Sequence, residues 1–199
     1  MSFSSRIKEE LSRHMSAARH CQIAEIAAIL SLCGRIQISG DDHYSIKIHT
    51  ENVTVARKCF TLLRKTFNIE TKIFVRENSH LKRVKVYTIE ITDPEEIQVI
   101  FQALRLVTNS IDQGTLVLSD MLVVQQNCCK RAFIRGAFLA SGSISDPEKG
   151  YHFEIVCSDA KRAEQLQTII RSFSVDAKIV QRKKSHVVYV KEGAQIVDM

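Results

Sequence analysis

The sequence lacks the features that mark membrane and secreted proteins. No apolar run in its 199 residues approaches the ~20 residues that a membrane span needs. The start, Met1 to Arg6, has no apolar core of the kind found in signal peptides. We therefore expect a cytoplasmic protein with no membrane partner.

The sequence also lacks the spacings that usually indicate zinc sites or catalytic nucleophiles. No two cysteines form a CxxC pair, and no paired histidines accompany them. No histidine is spaced from a serine or cysteine in a way that indicates a nucleophile, and no neighbour supports a lowered thiol pKa at the head of a helix. We predict no metal or other cofactor, and buried reduced thiols for all six cysteines: Cys21, Cys33, Cys59, Cys128, Cys129 and Cys157.

What is present is the composition of an ordinary globular domain. Hydrophobic residues make up 45% of the chain and charged residues 25%, which is enough to bury a core. The 28 basic residues exceed the 22 acidic ones and give a net charge of +6. This balance permits a nucleic-acid partner without demanding one.

Hydrophobic periodicity predicts a mixed succession of helices and strands. Helices are expected at Ser4–His14, Ile23–Cys33, Glu51–Phe67, Asp93–Val107, Cys128–Ala140 and Asp159–Phe173. Strands are expected at Arg35–Ser39, Tyr44–His49, Thr71–Arg76, Arg83–Ile91, Ser143–Ser145, His152–Cys157, Ala177–Lys183 and His186–Lys191. Loops are expected at Glu77–His80 and Asp146–Gly150; the helix caps are Thr50 for the third helix and Ser158 or Asp159 for the sixth, with Pro94 in the first turn of the fourth.

The order of these elements occurs twice. Gly34 and Gly142 each end a helix and lie 108 residues apart, which indicates a duplicated α-β-β-α-β-β-α unit and an α+β fold. The first repeat covers about residues 20–107, a linker 108–127, and the second repeat 128–199. We expect the second repeat to stop before a last helix that begins near Glu192 is complete.

The helix that opens each repeat is rich in small residues, which allow helix axes to approach closely. On the first they are Ala24, Ala27, Ala28 and Ser31, and on the second Ala132, Gly136 and Ala140. The segments Glu25–Ile36 and Phe133–Ile144 resemble the LAGLIDADG motif of homing endonucleases. The resemblance implies a pseudo-two-fold fold with a saddle-shaped antiparallel sheet.

In active enzymes of that family, the residue before the final glycine of each helix is acidic, and the two carboxylates hold divalent metal. Here these positions are Cys33 and Ser141, so we expect no nuclease activity, because Mg²⁺ needs oxygen ligands of carboxylate type. Asp41, Asp42 and Asp146 are nearby acids that could substitute for the missing pair. Turn chemistry explains them better.

Four segments together resemble the WhiA family of bacterial sporulation and cell-division regulators: Arg131–Lys149, Tyr151–Cys157, Tyr189–Asp198 and Thr50–Arg57. The resemblance implies a transcription regulator that associates with DNA at the nucleoid. It also implies a C-terminal helix-turn-helix domain that would contribute to DNA contact, and we expect that domain to be absent from these 199 residues.

Strand alternation identifies a face that could contact DNA. If Ile36, Ile38, Ile46, Ile48, Ile73, Val75, Val84 and Val86 face the helices, the opposite face carries Arg35, Gln37, Lys47, His49, Lys72, Phe74, Arg76, Arg83, Lys85 and Tyr87. The second repeat adds Lys178 and Arg182 with Glu154 against them, and the hairpin loops add Lys82, Lys183 and Lys184. The predicted DNA-binding residues are Arg35, Lys47, Lys72, Arg76, Lys82, Arg83, Lys85, Lys178 and Arg182.

Three functions remain open at this point. The chain is a regulatory domain that contacts DNA or another domain, a protein-interaction module that binds another regulator without touching DNA, or an active homing endonuclease. The third alternative needs the acidic pair that Cys33 and Ser141 replace.

Overall fold

The computed structural model describes residues 2–39, 43–78, 84–105 and 121–198. Seven α-helices lie within these ranges: α1 (Phe3–Arg13), α2 (Arg19–Cys33), α3 (Val53–Phe67), α4 (Pro94–Leu104), α5 (Asn127–Ser141), α6 (Ala160–Arg171) and α7 (Gly193–Asp198). Short 3₁₀ turns occur at Met121–Val124 and Pro147–Lys149. No helix in the described ranges is both long and apolar enough to cross a membrane.

Eight strands form two antiparallel sheets of four strands each. The first contains β1 (Gly34–Ser39), β2 (His43–Thr50), β3 (Lys72–Asn78) and β4 (Val84–Ile91), and the second contains β5 (Gly142–Ile144), β6 (Phe153–Cys157), β7 (Lys178–Arg182) and β8 (Ser185–Val190). Their orders, β1-β2-β4-β3 and β5-β6-β8-β7, are the same. The shared order confirms the duplicated fold that the sequence predicted.

The two helices that open the repeats pack against each other at the centre of the molecule. Ala24, Ala27 and Ala28 of α2 are fully buried, and Ala132 of α5 is 1% exposed. A Cβ atom at Gly136 would lie 2.4 Å from the carbonyl oxygen of Glu25. The predicted close approach of two helices lined with small residues is therefore confirmed.

This helix pair also buries a charged cluster. Both carboxylate oxygens of Glu25, which is fully buried, are used: Oε1 lies 3.1 Å from Lys58 Nζ, and Oε2 accepts from Arg135 at 2.9 Å. Lys58 also donates to the carbonyl oxygen of His14. Burial lowers the pKa of Lys58, and Glu25 opposes that shift. Because one carboxylate serves both cations, removing Glu25 leaves Lys58 and Arg135 without their anion in the core.

Several predicted boundaries were wrong by a few residues. The cap of α3 is Asn52, whose side chain accepts from Thr54 N at 2.8 Å, whereas Thr50 ends β2 and its hydroxyl accepts from Asn52 N at 3.2 Å. Strand β3 continues through Asn78, so Glu77 belongs to a ladder and not to a loop.

The start of α2 is also four residues earlier than predicted. Its first turn contains polar residues that interrupt the apolar pattern, yet two of them, Cys21 and Gln22, are buried. Gln22 is satisfied there, since its Nε2 donates to the carbonyl oxygen of Ser16 at 2.7 Å and its Oε1 accepts from Thr66 at 3.0 Å. Other boundary predictions were confirmed: Asp159 caps α6, and α4 opens with Asp93 and Pro94.

Candidate nucleic-acid interface

The first sheet has one face packed on the core and one open face. Register pairs Ile36 with Ile46, and Ile48 with Ile89, and these side chains are at most 3% exposed. Because side chains alternate along a strand, the residues between them point to the opposite side. That open face carries Arg35, Gln37, Ser45, Lys47, His49, Lys72, Phe74, Arg76, Val84, Val86, Thr88 and Glu90.

Strand β4 corrects part of the predicted face. Ile89 and Ile91 are both buried, so the two-residue period places Tyr87 and Lys85 on the core side of the sheet and Val84 and Val86 on the open side. Lys85 is exposed beyond the core and lies 3.4 Å from Glu77, its partner in the ladder. The prediction that Lys85 joins the open face was wrong. The valines and the isoleucines of β4 lie on opposite faces of the sheet. The sequence prediction placed the valines toward the helices, whereas the isoleucines are the residues that face the core.

Four of the predicted basic residues do share the open face: Arg35, Lys47, Lys72 and Arg76. The residues predicted for this face include no acid, but Glu90 lies on it and its Oε1 is 3.0 Å from Lys47 Nζ. Within the described residues, Arg35, Lys72 and Arg76 have no ion-pair partner and are exposed. The open face therefore keeps a net positive charge. Lys82 and Arg83 lie outside the described residues.

The electrostatic effect of these cations is visible at His49. Its imidazole is exposed on the open face, where Nδ1 lies 3.0 Å from Thr88 Oγ1. Burial and then the nearby Lys47, Arg35 and Arg76 lower the pKa of His49 below its ordinary value of 6.5. A basic side chain loses its proton more easily where the potential is positive. The same potential would attract an anion to this part of the sheet.

The second sheet has a different open face. Lys178 and Arg182 lie on it as predicted, with Glu154 opposite Tyr189 in the ladder. Arg182 Nη1 donates to Glu154 Oε2 at 3.0 Å, and Lys178 Nζ is 3.4 Å from a carboxylate oxygen of Asp176. Lys178 and Arg182 are therefore paired with carboxylates, and they would attract an anion less strongly than unpaired cations do.

The helix ends that bear metal-binding acids in active LAGLIDADG enzymes carry other chemistry here. Burial raises the pKa of the Cys33 thiol to about 11, and Lys8 opposes that shift. Lys8 Nζ donates to the carbonyl oxygen of Leu139 at 3.2 Å, near the end of α5. The Ser141 hydroxyl donates to the carbonyl oxygen of Val156 at 2.7 Å. A neutral thiol, an engaged hydroxyl and an ammonium group make a poor set of ligands for Mg²⁺.

The alternative acids do not supply a carboxylate pair within the described residues. Asp146 Oδ1 accepts from Glu148 N at 3.2 Å, at the start of a 3₁₀ turn, which confirms turn chemistry for that residue. Asp41 and Asp42 lie outside the described residues.

Sequence reasoning missed a cluster that the helix pair brings together. His20 and Cys21 are in the first turn of α2, and Cys128 and Cys129 are in the first turn of α5; their ligand atoms all lie within 4.8 Å of one another. Cys128 is exposed, contrary to the expectation that all six thiols are buried, and burial raises the pKa of Cys129. The internal repeat could have revealed this cluster, because His20-Cys21 and Cys128-Cys129 occupy equivalent positions in the two copies, 108 residues apart.

Comparison with known proteins agrees with this architecture. Residues 19–107 match the WhiA N-terminal LAGLIDADG-like domain, and residues 130–199 match the WhiA LAGLIDADG-like domain. The chain resembles the full-length DUF199/WhiA structure from Thermatoga maritima with a TM-score of 0.72 and 20% identity, over 100% of this chain and 60% of that one. It resembles mesophilic variants of the homing endonuclease I-DmoI with a TM-score of 0.62 and 13% identity, over 91% and 94% of the two chains.

Curated relatives match along the whole chain. "Probable cell division protein WhiA" from Lachnoclostridium phytofermentans is 52% identical over 199 residues, and its counterpart from Alkaliphilus metalliredigens is 39% identical over 202. The match covers 64% and 63% of those two proteins, so the chain spans less than two thirds of their length. With two family-specific domains matched in order on a duplicated LAGLIDADG-like fold, the chain belongs to the WhiA family.

Proposed function

We propose that this chain is a non-catalytic, DNA-associated domain of a bacterial transcription regulator of cell division and sporulation. The open face of the first sheet contacts the phosphate backbone of duplex DNA. The observation that carries this proposal is the set of exposed cations, Arg35, Lys72 and Arg76, which lie on one face without an ion-pair partner among the described residues.

The position of these cations in the sheet supports the proposal. Arg35 is on the edge strand β1, and Lys72 and Arg76 are on the opposite edge strand β3. Neighbouring strands lie about 4.8 Å apart, so the edges of a four-stranded sheet are roughly 14 Å apart. The major groove of DNA is about 12 Å wide. A sheet laid over the groove would thus bring one edge toward each phosphate backbone, where cations position a protein without specifying sequence.

The relatives support the biological context. The matched family members are named as cell division proteins, and the matched endonucleases include I-DmoI in complex with DNA and Mn. We infer that this chain works at the nucleoid in the cytoplasm, together with the helix-turn-helix domain that the family resemblance implies. The proposed lack of catalysis rests on Cys33 and Ser141, since neither a half-buried thiol with a raised pKa nor an engaged hydroxyl replaces a carboxylate as a metal ligand.

A salt titration tests DNA contact. Fluorescence anisotropy of a labelled duplex would be measured against the purified chain at four or more salt concentrations. Each phosphate contact contributes about −0.9 to the slope of log K against log salt, so three or four contacts predict a slope of roughly −3. Absent binding at low salt, or binding with a slope near zero, would overturn the proposal.

The second sheet favours a second candidate function, contact with another protein domain. Its cations are paired, and its open face exposes Val156 and Val180 at 38% and 37%. An apolar face of this kind suits a protein partner, such as the remaining third of the longer family proteins. Calorimetry of this chain with that segment would test the contact. Loss of binding in the double variant V156K/V180K, with little dependence on salt, would support it.

A further inference from the structure

We propose that His20, Cys21, Cys128 and Cys129 form a structural zinc site that joins the first turns of α2 and α5. This inference is independent of the proposed DNA contact. The four side chains offer one nitrogen and three sulfur ligands, all within 4.8 Å of one another. His20 Nδ1 lies 3.1 Å from Cys129 Sγ and 3.4 Å from Cys21 Sγ.

This geometry is close to that of a tetrahedral metal centre. Zn–S bonds of ~2.3 Å and a Zn–N bond of ~2.1 Å place the ligand atoms of a tetrahedron about 3.5–3.8 Å apart. The two N–S distances already approach that value, so small rotations of the cysteine side chains would complete the shell. The donor set also selects the metal, because thiolate and imidazole suit Zn²⁺, whereas Mg²⁺ and Ca²⁺ require oxygen ligands.

The helix pair preorganises the site. Each helix contributes two adjacent residues from the same position of its repeat, and the close packing of α2 on α5 brings the two pairs face to face. Cys21 and Cys129 are buried at 5% and 4% exposure, whereas His20 and Cys128 are exposed. The inner thiols are therefore fixed by packing, and the outer two ligands can admit an ion from solvent.

A free cysteine thiol has an ordinary pKa of about 8.5 and is therefore protonated near neutral pH. When zinc binds, all three thiols release their protons to solvent as the three Zn–S bonds form, and the neutral imidazole of His20 supplies the fourth ligand. Binding therefore weakens as the pH falls.

Four protein ligands leave no open position for a substrate, which makes the site structural and not catalytic. It would act as a cross-link between the two repeats at the start of their central helices. A ligand that binds the folded state stabilises it, so removal of zinc should lower the Tm by about 5–10 °C if the free metal is kept near a hundredfold above its Kd.

The test uses the full chain, purified under reducing conditions and without chelators. Zinc per chain would be measured by mass spectrometry of the metal, and the ligands would be identified from the absorption bands of a Co²⁺-substituted sample. Wild type is expected to bind one zinc per chain and to show tetrahedral cobalt bands with thiolate charge transfer. Cys128→Ser should bind at least about a hundredfold more weakly, since even the partners that merely orient a ligand are worth 10–100-fold.

Two features of this design keep the result decisive. Cys128 is exposed, so its serine variant should fold, and Cys33→Ser removes a thiol outside the cluster and should bind zinc as wild type does. The proposal fails if reduced wild type binds neither zinc nor cobalt, or if Cys128→Ser keeps full affinity. It also fails if intact mass shows a cluster disulfide, lighter by two hydrogens, that persists in place of the metal under reducing conditions.

Discussion

Gly136 and Glu25 mark the point where the two central helices approach most tightly. A methyl group at position 136 would lie 2.4 Å from the carbonyl oxygen of Glu25 and 3.1 Å from the Cβ atom of Ala28. The neighbouring Arg135 binds the side chain of the same Glu25. Glu25 of α2 thus makes both a backbone contact and an ion pair with α5, and both interactions hold the two repeats together.

Substitution of Gly136 by alanine tests the helix crossing. In an isolated helix this change favours folding by about 1 kcal/mol, because alanine has the higher helix propensity. Here the methyl group would collide with the backbone of α2, so we expect the protein to lose about 1–3 kcal/mol of stability. Urea denaturation followed by circular dichroism measures the change. A more stable variant would contradict the packing described.

Substitution of Glu25 by glutamine tests the buried charged cluster. The change leaves Lys58 and Arg135 without their anion in the core, and we expect a loss of about 3–5 kcal/mol. Glu9→Gln provides the control, since Glu9 pairs with Arg13 at an exposed i,i+4 position, where the loss should stay below about 0.5 kcal/mol. Equal losses of stability in the two variants would show that burial does not determine how much an ion pair contributes to stability.

The proposal that this chain is not a nuclease predicts that supercoiled plasmid and genomic DNA remain intact with it in Mg²⁺ or Mn²⁺. The helix ends offer a thiol and a hydroxyl at Cys33 and Ser141, with Lys8 close by, and such a set does not hold a hard cation over a phosphate. An active homing endonuclease in the same buffer serves as the positive control. Metal-dependent cleavage that disappears in Cys33→Ala or Ser141→Ala would refute the account.

The titration of His49 gives a pH-dependent prediction. Its pKa is lowered by burial and by the cations of the open face, so the ring is neutral in the free protein near pH 7. A phosphate seated among those cations would offset them and raise the pKa, so binding takes up a proton and DNA affinity should rise as the pH falls from about 7.5 to 6. Anisotropy at each pH measures this. His49→Gln should reduce the dependence, and an unchanged profile in that variant would exclude this residue.

The same lowered pKa has the opposite effect on stability without DNA. Below the ordinary value of 6.5, the unfolded chain binds a proton at His49 that the folded chain resists. This contribution to stability is therefore present at neutral pH and is lost as the pH falls through about 6.5 toward the folded pKa. Thermal melts of the wild type and of His49→Gln would separate it from the DNA-linked effect.

Much of the fold could be predicted from the sequence because its signals are local. Helix periodicity, Asp93 before Pro94 and the recurrence of glycine after each small-residue helix are all properties of short segments, and the structure confirms them. The early start of α2 was hidden because its first turn is polar. Its buried glutamine is satisfied by partners 6 and 44 residues away, which no local pattern reveals.

The candidate site was predicted less completely. The alternation of Ile36, Ile46 and Ile48 identified the open face correctly on β1 and β2, but β4 contains apolar residues in both phases. Burial of Ile89 decides between those phases, and burial is a property of the packed sheet. Likewise, Cys21 and Cys129 come together through helix packing, so their spacing in the chain matches no familiar zinc motif.

The salt dependence of DNA binding in a charge-neutralised variant tests whether the open face of the first sheet contacts DNA. Arg35→Gln, Lys72→Gln and Arg76→Gln would be combined, with Lys85→Gln as the matched control, because Lys85 lies on the other side of the same sheet. We predict that the slope of log K against log salt is smaller in magnitude by about 3 in the triple variant than in the wild type. The control variant should keep the wild-type slope. Equal slopes in the triple variant and the wild type would contradict the assignment of this face to DNA.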